Sequence, residues 1–115
     1  MTQAEKNELL DKLSVCYNRV NYLKLLCDEA NKPDEAAQFD RRKARLKVEI
    51  DGLLRDLYEN WIGNANSLKT SLQNSNNGVE ASIKEIEGDI KVAENIVKAI
   101  GYIDDVIKVA AALFA

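Results

Sequence analysis

The stretch Trp61-Ile62-Gly63-Asn64-Ala65-Asn66-Ser67-Leu68-Lys69-Thr70-Ser71-Leu72-Gln73-Asn74-Ser75-Asn76-Asn77-Gly78 decides how many helices this chain forms. It holds two clusters of poor helix formers. Gly63-Asn64-Ala65-Asn66 can end or kink a helix, because glycine and asparagine both favour other conformations. Gln73 to Gly78 is denser in turn residues and reads as the stronger break. Asn77, with Glu80 three residues on, suits the N-cap of a following helix. Apolar residues continue at helical spacing across the first cluster: Leu53, Leu57, Trp61, Ala65, Leu68 and Leu72. The spacing therefore predicts one helix over 33–73, with a kink or break at Gly63 as the alternative. A further helix is expected over 77–114.

Upstream, Leu9, Leu13, Cys16, Val20, Leu23, Cys27 and Ala30 alternate steps of four and three. That is the seam of a packed, coiled-coil-like helix, predicted over 3–30. Thr2 and Glu5 form a candidate capping box. Asn31 suits a left-handed C-terminal cap, and Pro33, Asp34 and Glu35 suit a helix start. Phe39, Leu46 and Ile50 carry the second seam, with Leu54, Tyr58 and Ile62 widening it. Downstream there are two overlapping seams. One runs through Val79, Ile83, Ile86, Ile90, Ala93, Val97 and Ile100, the other through Ile96, Ile100, Ile103, Ile107, Ala110 and Phe114. The shift between them reads as a three-residue stammer in one helix. Glu80–Lys84, Glu87–Lys91, Glu94–Lys98 and Asp104–Lys108 would line its wet face as i,i+4 pairs.

The expected fold is thus all-α: a single domain over 1–115, an up-down-up antiparallel three-helix bundle. In that register a residue i of the first helix lies near 64−i of the second and near i+88 of the third. The apolar tail from Ile103 to Phe114 would then close over Val20 to Cys27. Leu68, Leu72, Val79, Ile83 and Ile86 would project beyond the first helix. Either the chain folds back at Gly63 or a second copy covers them; the second option argues for a homo-oligomer.

With 115 residues, 46% hydrophobic and 30% charged, the chain can bury a core and is too apolar for disorder. Its net charge of −3 is not that of a nucleic-acid binder. The polar N-terminus has no secretory pattern, and no run of about 18 apolar residues spans a membrane. A cytoplasmic setting is expected. Cys16 and Cys27 lie about 16 Å apart along one helix, too far to pair there, and read as small buried hydrophobes.

The chemistry of catalysis is thin. The chain has no histidine, the commonest general base and metal ligand. The cysteines lack zinc spacing, and the serines lack an identifiable base. The adjacent acid pairs Asp28–Glu29, Asp34–Glu35 and Asp104–Asp105 point about 100° apart on a helix and do not converge. No enzyme, no cofactor, no metal and no small-molecule substrate is expected.

Two clusters remain as candidate surfaces. Trp61, Leu68, Leu72, Val79, Ile83 and Ile86 would form a protein-interaction face, with Trp61 as an anchor. Arg41, Arg42, Lys43, Arg45 and Lys47 would make anion contacts, or else a solvated face neutralising nearby carboxylates. The function expected is a non-enzymatic helical module that self-associates or binds a protein partner through apolar helix faces. A membrane-surface protein using the apolar C-terminal helix is the alternative, although Asp104 and Asp105 oppose anionic lipid. A nucleic-acid accessory role for residues 41–47 is weaker still, because no stacking aromatics are interleaved there.

Overall fold

The computed structural model describes residues 1–55 and 61–113. Leu57, Tyr58 and Phe114, which the seams above include, lie outside them. Among the described residues the chain forms four helices and no strand: α1 (Gln3–Glu29), α2 (Pro33–Arg55), α3 (Ala65–Glu87) and α4 (Val92–Ala112). The all-α class stands, but the expected count of three helices does not.

The first half follows the sequence signals. Thr2 Oγ1 accepts from the Glu5 amide at 3.1 Å, and Glu5 Oε1 accepts from the Thr2 amide at 2.7 Å. Asn31 takes φ 56° after α1, and Pro33 opens α2 with Asp34 and Glu35 in its first turn. The α1 seam from Leu9 to Cys27 is buried throughout. Lys43 Nζ donates to Asn21 Oδ1 at 2.9 Å, so the antiparallel register of α1 and α2 sums to 64.

The second half departs from the expected pattern at both breakers. Gly63 takes φ +106°, a backbone region that residues with a Cβ rarely occupy. Asn64 then caps α3, its side chain accepting from the Ser67 amide at 2.9 Å. The weaker cluster is therefore the break, and the predicted helix over 33–73 is two helices. The Gln73–Gly78 segment, expected to be a turn, is the middle of α3. Three of its side-chain amides are engaged: Gln73 Nε2 donates to Asn77 Oδ1 at 2.8 Å, and Asn76 Nδ2 donates to the Lys12 carbonyl at 3.0 Å, although Asn76 Oδ1 is buried without a partner. Leu72, Asn76, Val79 and Ile83 face the core, and that packing outweighs local propensity.

The helix expected over 77–114 is also two. α3 ends at Gly88, and Asp89 and Lys91 take φ 57° and 43°. Asn95, buried on α4, donates to the Ile90 and Lys91 carbonyls at 3.0 and 3.2 Å and ties this turn together.

Pairings across the bundle give its topology. Glu8–Lys69, Lys12–Gln73 and Arg19–Glu80 are each 61 residues apart, so α1 and α3 run parallel. Arg42–Asp104, 62 apart, makes α2 and α4 parallel. α1 packs on α2 and α3, and α4 packs on the same two; α2 and α3 share no contact. The four helices thus form an up-down-up-down bundle, 43 × 22 × 18 Å, with α2 and α3 at opposite corners.

This topology moves the tail. The Ile62 amide donates to the Leu113 carbonyl at 3.0 Å. Arg42–Asp104 likewise sets the end of α4 beside the end of α2, at the end of the bundle where α1 begins. Ile103, Val106, Ile107, Ala110 and Leu113 are core residues there. The expected closure over Val20 to Cys27, through an offset of 88, is replaced by α3 lying beside α1.

Candidate interaction surface

The residues expected to lie uncovered are inside. Leu72 and Val79 are fully buried, Trp61 and Ile83 nearly so, and Leu68 and Ile86 are half-buried against the same core. The overhang does not exist, because the chain folds back at Gly63. The argument for a homo-oligomer from that overhang goes with it.

The basic cluster is divided among three directions. Arg42 turns towards α4, where Nε meets Asp104 Oδ1 at 2.9 Å and Nη1 donates to the Gln38 carbonyl at 3.1 Å. Lys43 turns towards α1, bonded to Asn21 and 5.9 Å above the Tyr17 ring. Lys47 pairs with Asp51 at 3.1 Å. Arg41 and Arg45 point outward, Arg45 reaching Glu49 of its own helix at 3.6 Å. No single five-residue anion patch results.

Among the large apolar side chains the bundle leaves exposed, three form a row on α1. Val15, Tyr22 and Leu25 are 41%, 40% and 46% exposed. They recur at seven and three residues, so they share the side of α1 turned away from the seam. The sequence shows why: α1 is apolar around more of its circumference than one seam needs. Tyr22 Oη donates to Glu87 Oε2 of α3 at 2.5 Å, and this bond to a carboxylate raises the phenol pKa. Arg19 spans the same boundary, donating to the Asn76 carbonyl at 3.0 Å.

Beside this row, at the end where both hairpins turn, lies a groove of about 400 Å³. Leu26, Ile86 and Val92 form its floor, and Glu29, Glu87 and Asp89 stand at its rim, with Lys32 as the opposing charge. Sequence reasoning missed it because it needs α1 beside α3, a pairing the three-helix register does not make. Glu87 and Asp104, which the i,i+4 spacing pairs with Lys91 and Lys108, meet Tyr22 and Arg42 instead. Glu80–Lys84 and Glu94–Lys98 do form, at 3.5 and 3.6 Å.

Cys16 and Cys27 are buried free thiols. Burial pushes the Cys16 thiol up to about 12, against a smaller opposing effect of Arg19. Burial raises Cys27 as well. Neither has thiolate character at neutral pH. Among the described residues no group of three metal-ligating side chains converges, and no helix is long and apolar enough to cross a membrane.

Compared with known proteins, the chain matches no family model, no curated protein and no solved structure.

Proposed function

We propose that this protein is a non-enzymatic interaction module that docks a protein partner through an apolar helix face. The observation that carries the reading is the outward row Val15, Tyr22 and Leu25 on α1. Large apolar side chains repeated on one helix face, away from the core, offer a partner area whose burial stabilises a complex by roughly 25 cal/mol per Å². Tyr22 adds an amphipathic ring of the kind that anchors interfaces. The lack of histidine supports a non-catalytic role. The two free thiols suit a reducing, cytoplasmic setting.

The membrane-surface alternative has less support. The apolar face of α4 that it would use is occupied by the core.

Photo-cross-linking tests the reading. A benzoyl-phenylalanine at position 22 should give a discrete adduct on irradiation in producing cells. Val15→Lys with Leu25→Glu should abolish it without shifting the thermal midpoint. A probe at Val97, which is exposed on α4, should give none. Absence of an adduct at 22, or the same adducts from 97, would overturn the proposal.

A further inference from the structure

The acidic-rimmed groove has a matching surface on this same chain. Arg41, Ala44, Val48 and Arg55 lie at i, i+3, i+7 and i+14, on one outward side of α2, with Arg45 beside them. Val48 is 66% exposed, standing between the arginines like a knob. Ala44 and Gly52 flank it and keep the surface low, so another backbone can approach closely. Charge is complementary: arginines around a valine face carboxylates around an apolar floor of Leu26, Ile86 and Val92.

One chain cannot satisfy both surfaces. α2 and α3 stand at opposite corners of the bundle, and the groove is built from α1, α3 and the start of α4. We infer that the groove at Leu26, Ile86 and Val92 binds the outward face of α2, centred on Val48, from a second copy of this chain. The contact is head-to-tail: the patch used on one copy differs from the patch used on the other. Repetition of such a contact gives a ring if the rotation closes and a filament if it does not.

The surface is one helix side against one groove, at the small end of specific interfaces. Association is therefore weak and salt-sensitive, since added salt screens the attraction between solvent-exposed charges. This rests on the reading of the protein as a docking module and adds, beside the α1 row, a second surface whose partner is another copy of the chain.

Sedimentation velocity is the test, at concentrations up to about 1 mM, where a millimolar dissociation constant becomes visible. The wild-type mass should rise from the 12.9 kDa of one chain with concentration, and should fall back as salt goes from about 0.05 to about 0.5 M. Val48→Glu should be monomeric, because it sets a carboxylate against the acidic rim. Glu29→Lys with Glu87→Lys should also be monomeric, because it sets lysines against Arg41 and Arg45. Each variant keeps the surface that the other has lost, so an equimolar mixture should form a 1:1 dimer. All three substitutions are at exposed positions, and circular dichroism checks that the fold survives.

A wild type that stays monomeric at every salt would overturn the inference. So would association that persists in either variant, or a mixture that fails to dimerise. A monomer that still gives the position-22 adduct would refute self-docking alone. Loss of that adduct beside a salt-sensitive oligomer would instead refute docking through the α1 row.

Discussion

At the scale of single residues, glycine and cysteine give the sharpest expectations. Gly101 and Gly78 are both inside helices, but their surroundings differ. A Cβ on Gly101 would meet nothing within 4 Å, whereas one on Gly78 would lie 2.5 Å from the Tyr102 ring. Gly101→Ala should therefore gain close to the full propensity difference, about 0.5–1 kcal/mol. Gly78→Ala gains the same but must push the Tyr102 ring, packed over Gly78, off α3, so its net effect should be near zero or destabilising. Urea denaturation of the pair checks the order; equal stabilisation by both would disprove the close approach. Cys16 gives a pH signature. Its thiol is ordinary, near 9.0, when unfolded and is held up to about 12 when folded. Below pH 9 both states keep the proton and nothing is lost. Between 9 and 12 only the unfolded state releases it, so stability falls by about 1.4 kcal/mol per pH unit. Denaturation at pH 8 and pH 10.5 should show this slope in the wild type. Cys16→Ala, less stable at both pH values, should lose that part of the slope.

At the scale of elements, the hairpin of α3 and α4 shows what the sequence made legible and what it hid. The two overlapping seams, through Val79 and Ile83 and then through Ile96 and Ile103, were readable as a phase shift. A stammer within one helix and a turn between two produce the same shift. The Glu–Lys spacing across 80–98 favoured the continuous helix. The turn it concealed has weak chemistry: Asp89 and Lys91 carry positive φ without being glycine, and Lys91, the N-cap of α4, makes no side-chain cap bond. What holds it is Asn95, whose amide reaches two turn carbonyls from within α4. That role is tertiary, and no local pattern announces it. Asn95→Ala should cost about 1–3 kcal/mol, since it removes two side-chain hydrogen bonds that hold the turn, each worth about 0.5–1.5 kcal/mol. Hydrogen exchange should localise the loss, with the amides of Ile90 and Asn95 opening well before those of α1. An even loss of protection along the chain would show that Asn95 does not act on the turn. The same reasoning explains the Asn-rich run. Gln73 to Gly78 looked like a turn by composition, yet Asn76 is buried on a core position and bonds Lys12 across α1. The three caps of the first hairpin, Thr2, Asn31 and Pro33, were legible because their chemistry is local.

At the scale of the whole molecule, one break rearranged everything that depended on register. Once the chain folds back at Gly63, the third element runs parallel to α1 instead of antiparallel to a long α2. The uncovered overhang vanishes, the tail moves to the other end, and the groove between α1 and α3 comes into being. The tail's role can then be tested directly. Cutting the chain after Ile103 removes Val106, Ile107, Ala110 and Leu113, all buried, together with the carbonyl that accepts from Ile62. Burying each large aliphatic side chain stabilises by about 1.5–3 kcal/mol, so Val106, Ile107 and Leu113 alone contribute about 5–9 kcal/mol. A domain of this size has about 5–15 kcal/mol in total. The shortened chain should therefore be unfolded or nearly so at 25 °C. The protein has one tryptophan, Trp61, and it is buried at the same end as Leu113. Its emission should shift to the red in the shortened chain, together with a loss of helical circular dichroism. A membrane anchor would behave in the opposite way: the shortened chain would stay folded, with Trp61 unchanged, and would lose flotation with anionic liposomes. Because Leu113 and Trp61 share one core with Leu9 and Leu13 of α1, the first outcome is the one the packing requires.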